Sequence, residues 1–407
     1  MGGTADGTWR AAVGPAWVEV DLDAIAANTQ WLRLLIGPGC RLLAVVKANA
    51  YGHGALEVAR ATLEAGADGL GVSTASEGLA LRAEGVEAPI LVFTPLRPCD
   101  ARPAVEAGLT LAVASLAGAR DLAAAADAAS RPAVAHLKLD TGMGRYGLDA
   151  PGLRAAAAEL AALAPAIRWE GVFTHFAHGA EAGRCRMQLG RFQAMLDAAA
   201  ARGLRFEVRH AAASAATVVL PEARLDMVRV GTLLYGDRPA GVPAPAGLRR
   251  AFALRAEPGQ VRDLPAGATV GYGGQWRARR PSRVAVLPVG FADGVDVAPS
   301  SPYRRPGVLL RALARVLLSA LGLGRRLGWG AGDVEWGGRR VAIVGRVGMQ
   351  QVAVDCTGLP DSALTGPATL HVRATAVSAH LARVYLRDGV AVRARTAAGS
   401  FVPAAPP

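Results

Sequence analysis

Residues 41 to 231 alternate short runs rich in valine, isoleucine and leucine with alanine- and leucine-rich stretches of helical length. Parallel strands need such crossovers, because the chain must return to the same edge of the sheet. About eight βα units in succession predict a closed (β/α)8 barrel of the TIM type. An open, doubly wound sheet is the alternative, and the absence of Gly-x-Gly-x-x-Gly after the first strand disfavours it. The candidate strands are Arg41–Lys47, Gly69–Ser73, Ile90–Thr94, Thr110–Ser115, Ala135–Asp140, Glu170–Phe176, Phe206–Ala211 and Met227–Gly231.

After about residue 245 the pattern changes, and runs rich in valine, arginine and glycine replace the helical stretches. This change predicts an α/β barrel over residues 15–240, followed by a mainly-β domain over 241–400. An inserted helix is expected near 307–322. We expect the first fourteen residues and the tail from Phe401 to be disordered. The candidate strands of the second domain are Ser282–Val289, Arg339–Val344, Gln351–Asp355 and Gly389–Arg395.

The net charge of +12 does not by itself predict a nucleic-acid partner, because the arginines are scattered and form no block beside aromatic residues. The four cysteines, Cys40, Cys99, Cys185 and Cys356, are far apart and contain no Cys-x-x-Cys pair. This usage is typical of a reduced cytoplasmic protein without a zinc site. The apolar stretch 307–322 is too short to span a bilayer, so no membrane contact is expected.

Basic charge is carried almost entirely by arginine, and the chain has only two lysines, Lys47 and Lys138. Arginine matches lysine as a surface cation, but its guanidinium stays protonated and cannot act as a neutral amine. Lysine at these two positions therefore indicates amine chemistry, such as an imine, a proton base or modification of the nitrogen. Lys47 also ends the first predicted strand, at the barrel rim where active sites are built. Partial burial there would lower its pKa and favour the neutral amine.

Residues suited to a phosphorylated aromatic ligand follow the later strands. His175 ends the sixth predicted strand, Ser214 follows the seventh, and Arg229 and Gly231 end the eighth. Serine and backbone amides near glycine can hold a phosphate, and a flat imidazole can lie against a ring. A core histidine and a helix N-cap serine are the ordinary alternatives for His175 and Ser214 taken singly.

The run from Val45 to Gly54 around Lys47 is the most specific of a series of motifs between about residues 15 and 357. It resembles the cofactor-lysine motif of the alanine racemases, which are pyridoxal-phosphate enzymes of fold type III, and the other motifs resemble that family in the same order. The others are Trp17–Ile25 with Asn28, Asp140–Arg145, Phe173–Phe176, Val228–Gly231 with Leu234–Gly236, Val270–Gly273, Phe291–Gly294 and Val344–Met349.

The resemblance implies a cofactor, a mechanism and an assembly. Lys47 would carry pyridoxal 5'-phosphate as an imine, and the cofactor would accept the electron pair released when the α-hydrogen leaves. Two bases would serve opposite faces of the substrate, Lys47 for D-alanine and Tyr272 for L-alanine. In the family this tyrosine comes from the partner subunit, which implies a homodimer with composite sites.

The remaining roles are also implied by the resemblance. Arg229 would face the pyridine nitrogen and His175 would stack on the ring. The substrate carboxylate would be held by Arg145 and by the backbone amide of Met349 from the partner. Lys138 matches a lysine that is carbamylated in many members, and a plain salt bridge to Asp140 or a neighbouring residue is the alternative. The implied phosphate ligands are Tyr51, Ser214 and the amide of Gly231.

The sequence departs from the family pattern at several places. Ala213 stands where the family has asparagine, Phe291 where it has tyrosine, and Gln350 where it has aspartate. Residues 295–335 carry an insertion, and a tyrosine that contributes to phosphate binding is missing from the C-terminal region. These changes affect the predicted substrate entrance and part of the phosphate site.

The predicted function is therefore the interconversion of L- and D-alanine, supplying D-alanine for the cell wall. A racemase for serine or another small amino acid is the nearest alternative. A cofactor carrier without turnover is a second, although Tyr272 and residues 245–395 argue against it. An arginine-rich RNA-binding protein would predict binding that weakens steeply with salt. A decarboxylase on a similar plan would need a carboxylate where Arg229 stands.

Overall fold

The computed structural model describes residues 8–243, 246–296 and 334–404, together with the single positions 310, 313, 314 and 317. The chain forms two compact units, one from Asp21 to Ala251 and the other from the residues on either side of it. Short 3₁₀ turns lie at Pro221–Ala223, Thr232–Tyr235, Tyr272–Gly274, Phe291–Asp293 and Ala374–Ala376.

Up to residue 230 the elements alternate as helices and strands. In chain order they are α1 (Thr8–Val13), β1 (Ala16–Asp21), α2 (Leu22–Ile36), β2 (Arg41–Val45), α3 (Lys47–Tyr51), α4 (Ala55–Glu64), β3 (Gly69–Val72), α5 (Ala75–Ala83), β4 (Ile90–Val92), α6 (Pro98–Glu106), β5 (Thr110–Val113), α7 (Leu116–Ala128), β6 (Ala133–Lys138), α8 (Ala150–Ala162), β7 (Ile167–Phe173), α9 (Ala182–Ala200), β8 (Val208–His210), α10 (Ser214–Val219) and β9 (Met227–Val230).

Beyond residue 251 strands dominate. They are β10 (Phe252–Ala256), β11 (Gln260–Leu264), β12 (Thr269–Val270), β13 (Trp276–Arg277), β14 (Ser282–Leu287), β15 (Val334–Trp336), β16 (Arg339–Val344), β17 (Val352–Asp355), β18 (Ala368–Leu370), β19 (Ala382–Arg387), β20 (Val390–Arg395) and β21 (Phe401–Pro403), with the short helix α11 (Asp361–Leu364) after β17.

The first unit is a nearly closed parallel barrel of eight strands, in the order β9-β2-β3-β4-β5-β6-β7-β8. The two end strands approach each other through a bridge between Ala213 and Arg229. Most strand residues are buried, as expected when helices cover the outside and side chains fill the lumen. The predicted barrel is confirmed, with each of the eight strands within a few residues of its expected position.

The second unit is built on an eleven-stranded sheet with the order β11-β14-β17-β16-β15-β18-β10-β1-β19-β20-β21, beside the hairpin β12-β13. All four strands predicted for the C-terminal domain are present as β14, β16, β17 and β20. Every pair of adjacent strands in this sheet whose register is defined is antiparallel, which agrees with the predicted mainly-β domain.

Within the described residues, parts of both chain ends expected to be disordered form regular structure. Residues Thr8–Val13 form α1, and Phe401–Pro403 form β21, which pairs with β20. The strand β1 pairs with β10, so the residues before Asp21 belong to the β unit and not to the barrel. Tertiary contacts explain why these terminal residues are ordered. Trp9 and Trp17 are buried in one cluster with residues of β19 and β20, partners that lie far away in sequence.

The predicted helix at 307–322 lies outside the described residues, apart from the four single positions. Among the described residues, no helix combines the length and the apolar character needed to cross a bilayer.

Substituting Trp9 with alanine should lower the free energy of unfolding by about 3 kcal/mol, because the ring is 5% exposed and packs edge-on against Trp17 at 5.8 Å. Urea denaturation followed by circular dichroism measures this. Leu34→Ala is the control, since Leu34 is 84% exposed on α2 and its loss should change stability by less than about 0.5 kcal/mol. Equal stability of the two variants would contradict the packing described for α1.

Candidate active site

A cavity of about 400 Å³ opens at the carboxyl ends of the barrel strands. Its described lining contains four cationic side chains and no aspartate or glutamate. Eight of the ten site residues predicted from the sequence line it, and the other two, Tyr272 and Met349, belong to the β unit. The eight are Lys47, Tyr51, Lys138, Arg145, His175, Ser214, Arg229 and Gly231.

Lys47 enters the cavity from an unusual turn that follows β2. The next four residues, Ala48 to Tyr51, all have φ between 51° and 55°, which is the left-handed helical region. This conformation costs roughly 1–2 kcal/mol for each residue that carries a Cβ. Hydrogen bonds offset part of that cost, among them those from the Ala50 amide to the Val46 carbonyl and from the Gly54 amide to the Asn49 carbonyl.

The pKa of the Lys47 amine is lowered by burial first and by the neighbouring Arg145 second, while Glu77 opposes the shift. A lower pKa increases the fraction of neutral amine at a given pH, and the neutral amine is the nucleophile that forms imines. Burial and Arg145 therefore favour the neutral form of the Lys47 amine at this rim of the barrel.

Tyr51, Ser214 and Gly231 form a small cradle at one end of the cavity. The Gly231 amide donates to Ser214 Oγ at 3.0 Å. A Cβ at position 231 would lie 2.5 Å from the Tyr51 hydroxyl, so only glycine leaves this space open. Burial raises the pKa of Tyr51, which keeps its hydroxyl protonated and able to donate a hydrogen bond. Hydroxyl and amide donors beside a glycine are suited to a phosphate.

Arg229 lies buried at the end of β9, and its guanidinium is held on two sides. Nη2 donates to the carbonyls of Thr174 at 2.8 Å and Ala211 at 2.9 Å, and Nη1 donates to His210 Nδ1 at 2.8 Å. Burial lowers the pKa of Arg229 to about 9, so it stays protonated at neutral pH. Among the described residues its Nε–H has no hydrogen-bond acceptor, although the side chain lines the cavity. That donor is available to a ligand.

A hydrogen-bonded chain runs from Arg229 into the barrel. His210 Nε2 lies 2.8 Å from His136 Nδ1, and His136 Nε2 lies 3.2 Å from Glu170 Oε2. Arginine can only donate and an ionised carboxylate can only accept, so both neutral imidazoles must carry their proton on Nε2. The hydrogen bond from His136 is the largest of the effects that lower the pKa of Glu170 to about 2, and this keeps the carboxylate ionised. The chain therefore has one direction, from Arg229 to Glu170.

Gly171 makes room for this chain. A Cβ at that position would lie 2.6 Å from the His136 ring, so a side chain on β7 would displace the imidazole.

Lys138 is buried on β6, with its amine 4.5 Å from the centre of the Phe173 ring. Burial first, and then the charges of Arg229 and Arg145, lower its pKa to about 7. In the described residues no carboxylate lies within ion-pair distance of Lys138. The Asp140 carboxylate instead accepts the amides of Gly142, Met143 and Gly144 at 2.8–2.9 Å. The alternative of a plain Lys138–Asp140 salt bridge is therefore not what the structure shows.

His175 lies at the edge of the cavity, and its Nδ1 accepts from Arg229 Nη2 at 3.3 Å. Burial, followed by the charges of Arg229 and Lys138, lowers its pKa to about 3. The imidazole is consequently neutral at physiological pH and offers a flat uncharged surface to a ring.

Tyr272, Phe291 and Met349 are exposed on neighbouring loops of the β unit, which we together call the Tyr272 face. The three side chains are 76%, 50% and 63% exposed. Their loops pack on one another, because the amides of Phe291 and Ala292 donate to the carbonyls of Gly348 and Met349. Gly271, with φ of +77°, turns the chain before Tyr272, and a Cβ at this position would lie 3.4 Å from the Arg346 amide nitrogen.

The three positions that depart from the family pattern fall in different places. Ala213 lines the cavity, where its methyl group leaves more room than an asparagine side chain. Phe291 belongs to the Tyr272 face, and Gln350 is exposed in the same unit.

Sequence reasoning missed several residues that support the site. His136 and Glu170, which continue the chain from Arg229, carry no local signal of their role. Glu77 does carry one, because Thr74-x-x-Glu77 is a capping-box spacing, and its carboxylate also reaches the turn after Lys47.

The residues present fit pyridoxal phosphate. The cradle of Tyr51, Ser214 and Gly231 suits its phosphate, and the available Nε–H of Arg229 suits its ring nitrogen. Four basic side chains line the cavity, and its described lining has no aspartate or glutamate, which favours an anionic ligand. Across the described parts of the chain, no group of three or more histidine, cysteine or acidic side chains is placed to hold a metal ion.

Comparisons with known proteins identify the family. The family model for the alanine racemase N-terminal domain matches residues 20–239, and that for the alanine racemase C-terminal domain matches residues 251–316. An alanine racemase of Desulfosudis oleivorans is 40% identical over 363 residues, covering 86% of this chain and 85% of the relative.

Solved structures agree with this result. The alanine racemase of D-cycloserine-producing Streptomyces lavendulae superposes with a TM-score of 0.78 at 34% identity, covering 92% of this chain and 97% of that one. The alanine racemase of Bartonella henselae, solved with covalently bound pyridoxal phosphate, gives a TM-score of 0.74 at 25% identity over 92% of this chain and all of that one (100%). The chain therefore belongs to the alanine racemase family of isomerases.

Proposed function

We propose that this chain interconverts L-alanine and D-alanine with pyridoxal 5'-phosphate bound through Lys47. The observation that carries the proposal is the cavity itself. It brings an amine of lowered pKa together with a phosphate cradle and a buried arginine whose Nε–H is available. The covalently bound cofactor of the Bartonella henselae relative supports the same assignment. The product D-alanine would supply cell-wall synthesis in the cytoplasm.

When bound, pyridoxal phosphate supplies an electron sink that acidifies the α-hydrogen of an amino acid. Lys47 would form the covalent attachment and hold the cofactor at its carbonyl carbon. Tyr51, Ser214 and the Gly231 backbone would bind the phosphate. His175 would lie against the ring as a neutral imidazole.

Arg229 would donate from Nε–H to the ring nitrogen. Because arginine stays protonated and cannot pass on its proton, it leaves that nitrogen unprotonated. With Arg229 at that nitrogen, the cofactor would supply a weaker electron sink than with a carboxylate partner. This favours racemisation over transamination or decarboxylation.

Racemisation needs a proton acceptor on each face of the substrate. The Lys47 amine would remove and return the proton of D-alanine at one face. Tyr272 would serve L-alanine at the other face, and Arg145 would hold the substrate carboxylate between them.

The second base would come from another copy of the chain. Tyr272 and Met349 are exposed on the β unit, on an apolar face that a second copy would cover. In such a homodimer each cavity would receive Tyr272 and the Met349 amide from the partner. Two composite sites would result.

If two bases serve the two faces of the substrate, loss of Tyr272 should affect the two enantiomers of alanine unequally. Wild type should exchange the α-hydrogen of both L- and D-alanine in D₂O, with racemic product. Tyr272→Phe removes one base and should slow abstraction from L-alanine by roughly 10²-fold or more, with a smaller effect on exchange from D-alanine. Proton NMR with chiral chromatography measures both. Exchange of serine but not alanine would assign the alternative substrate, and bound cofactor without any exchange would indicate a carrier.

A mixing control tests the composite site in the same assay. Equal amounts of Lys47→Ala and Tyr272→Phe subunits, unfolded and refolded together, should recover about a quarter of wild-type activity, because half of the dimers contain one intact site of two. Mixtures as inactive as the separate variants would contradict a tyrosine donated by the partner.

We further propose that Lys138 is carbamylated. Its amine loses a proton and forms an N–C bond to CO₂, and the resulting anion would bond to Arg145 and offset the excess of cations. A pKa of about 7 leaves a large neutral fraction at neutral pH, as this reaction requires. Carbon-13 NMR in labelled bicarbonate should show a carbamate signal that is absent in Lys138→Ala and retained in Lys47→Ala. A signal that depends on Lys47 instead would contradict this assignment.

A further inference from the structure

We propose that Glu77 is a positioning residue for Lys47, whose carboxylate anchors the left-handed turn between the cofactor lysine and the phosphate-binding Tyr51. The inference rests on the proposed role of Lys47. Neither the sequence motifs nor the family resemblance assigned a role to Glu77.

The carboxylate of Glu77 joins two loops at the barrel rim. Oε1 accepts the amide of Ala48, the residue after Lys47, at 2.6 Å. Oε2 accepts the amides of Ser73 at 2.7 Å and Thr74 at 3.1 Å, which follow β3. One side chain therefore fixes the loop after β2 to the loop after β3.

The amide of Ala48 needs an acceptor from outside its turn. The turn's own hydrogen bonds begin with the Ala50 amide, which donates to the Val46 carbonyl, and continue with Gly52, His53 and Gly54. Ala48 is also exposed, so water competes for its amide in a segment whose backbone is already strained. The charged acceptor makes this hydrogen bond stronger than a neutral one.

The position of this bond determines what it controls. Lys47 and Tyr51 stand at the two ends of the turn, and both line the cavity. If the start of the turn relaxed toward ordinary backbone angles, the amine and the hydroxyl would move relative to each other. Glu77 also faces the Lys47 amine electrostatically and opposes the effects of burial and Arg145 on it.

Two substitutions separate positioning from helix capping. Glu77→Gln keeps the shape of the side chain, but only one of its two terminal atoms can accept, so either the Ala48 contact or the contacts to Ser73 and Thr74 must be lost. Thr74→Val removes the hydroxyl that accepts the Glu77 amide at 3.3 Å. It weakens the same helix start and leaves all three contacts of the carboxylate intact.

The experiment compares the two holoenzymes with wild type. Glu77→Gln should release pyridoxal phosphate about tenfold faster and shift the pH dependence of the bound cofactor's absorbance band. Thr74→Val should match wild type in both readouts while losing similar thermal stability. Hydrogen exchange should show protected Ala48, Ser73 and Thr74 amides in wild type and Thr74→Val, and in Glu77→Gln faster exchange of the Ala48 amide or of the Ser73 and Thr74 amides.

The possible failures are distinguishable. If Glu77→Gln retains the wild-type release rate, absorbance titration and Ala48 protection, the positioning role is wrong while the cofactor assignment stands. Equal effects of both substitutions would mean that Glu77 acts only by capping the helix, which would contradict the positioning role. An unprotected Ala48 amide in wild type overturns the inference even if Glu77→Gln does not fold. A wild-type protein that binds no pyridoxal phosphate would instead refute the proposed function.

Discussion

The buried guanidinium of Arg229 organises the carboxyl end of the barrel. It hydrogen-bonds the Thr174 and Ala211 carbonyls and His210, so it joins the ends of three strands near the place where the barrel closes. A buried charge is tolerated only when its donors are satisfied. A hydrogen-bonded chain through His210 and His136 connects the guanidinium to the Glu170 carboxylate. With those donors committed, Nε–H is left for the ligand, and the chemistry of the site depends on that geometry.

The barrel was predictable from local sequence because each strand is nearly continuous in apolar residues and each crossover is helical. The N-terminal helix and strand β1 were not predictable in this way, because they are buried by residues that are distant in sequence. Trp9 is buried by residues of β19 and β20, and β1 pairs with β10 more than 230 residues later. A pattern confined to a dozen residues cannot contain that information.

The cavity residues were predictable because strand ends of a parallel barrel meet at one rim, and because two lysines stood out against arginine. The lowered pKa of Lys138 could not be read from sequence, since it arises from Arg229 and Arg145 arriving from other segments. The hydrogen bond between Glu77 and Ala48 could not be predicted from the sequence for a similar reason. Its capping-box spacing is local, but its bond to Ala48 spans two loops.

We propose that Lys47, and not the other lysine in the same cavity, holds the cofactor. Since the chain contains only Lys47 and Lys138, borohydride reduction of the holoenzyme followed by proteolysis and mass spectrometry gives an unambiguous answer. We expect the reduced pyridoxyl group on the peptide that contains Lys47. A pyridoxyl group on Lys138, or on neither lysine, would contradict it.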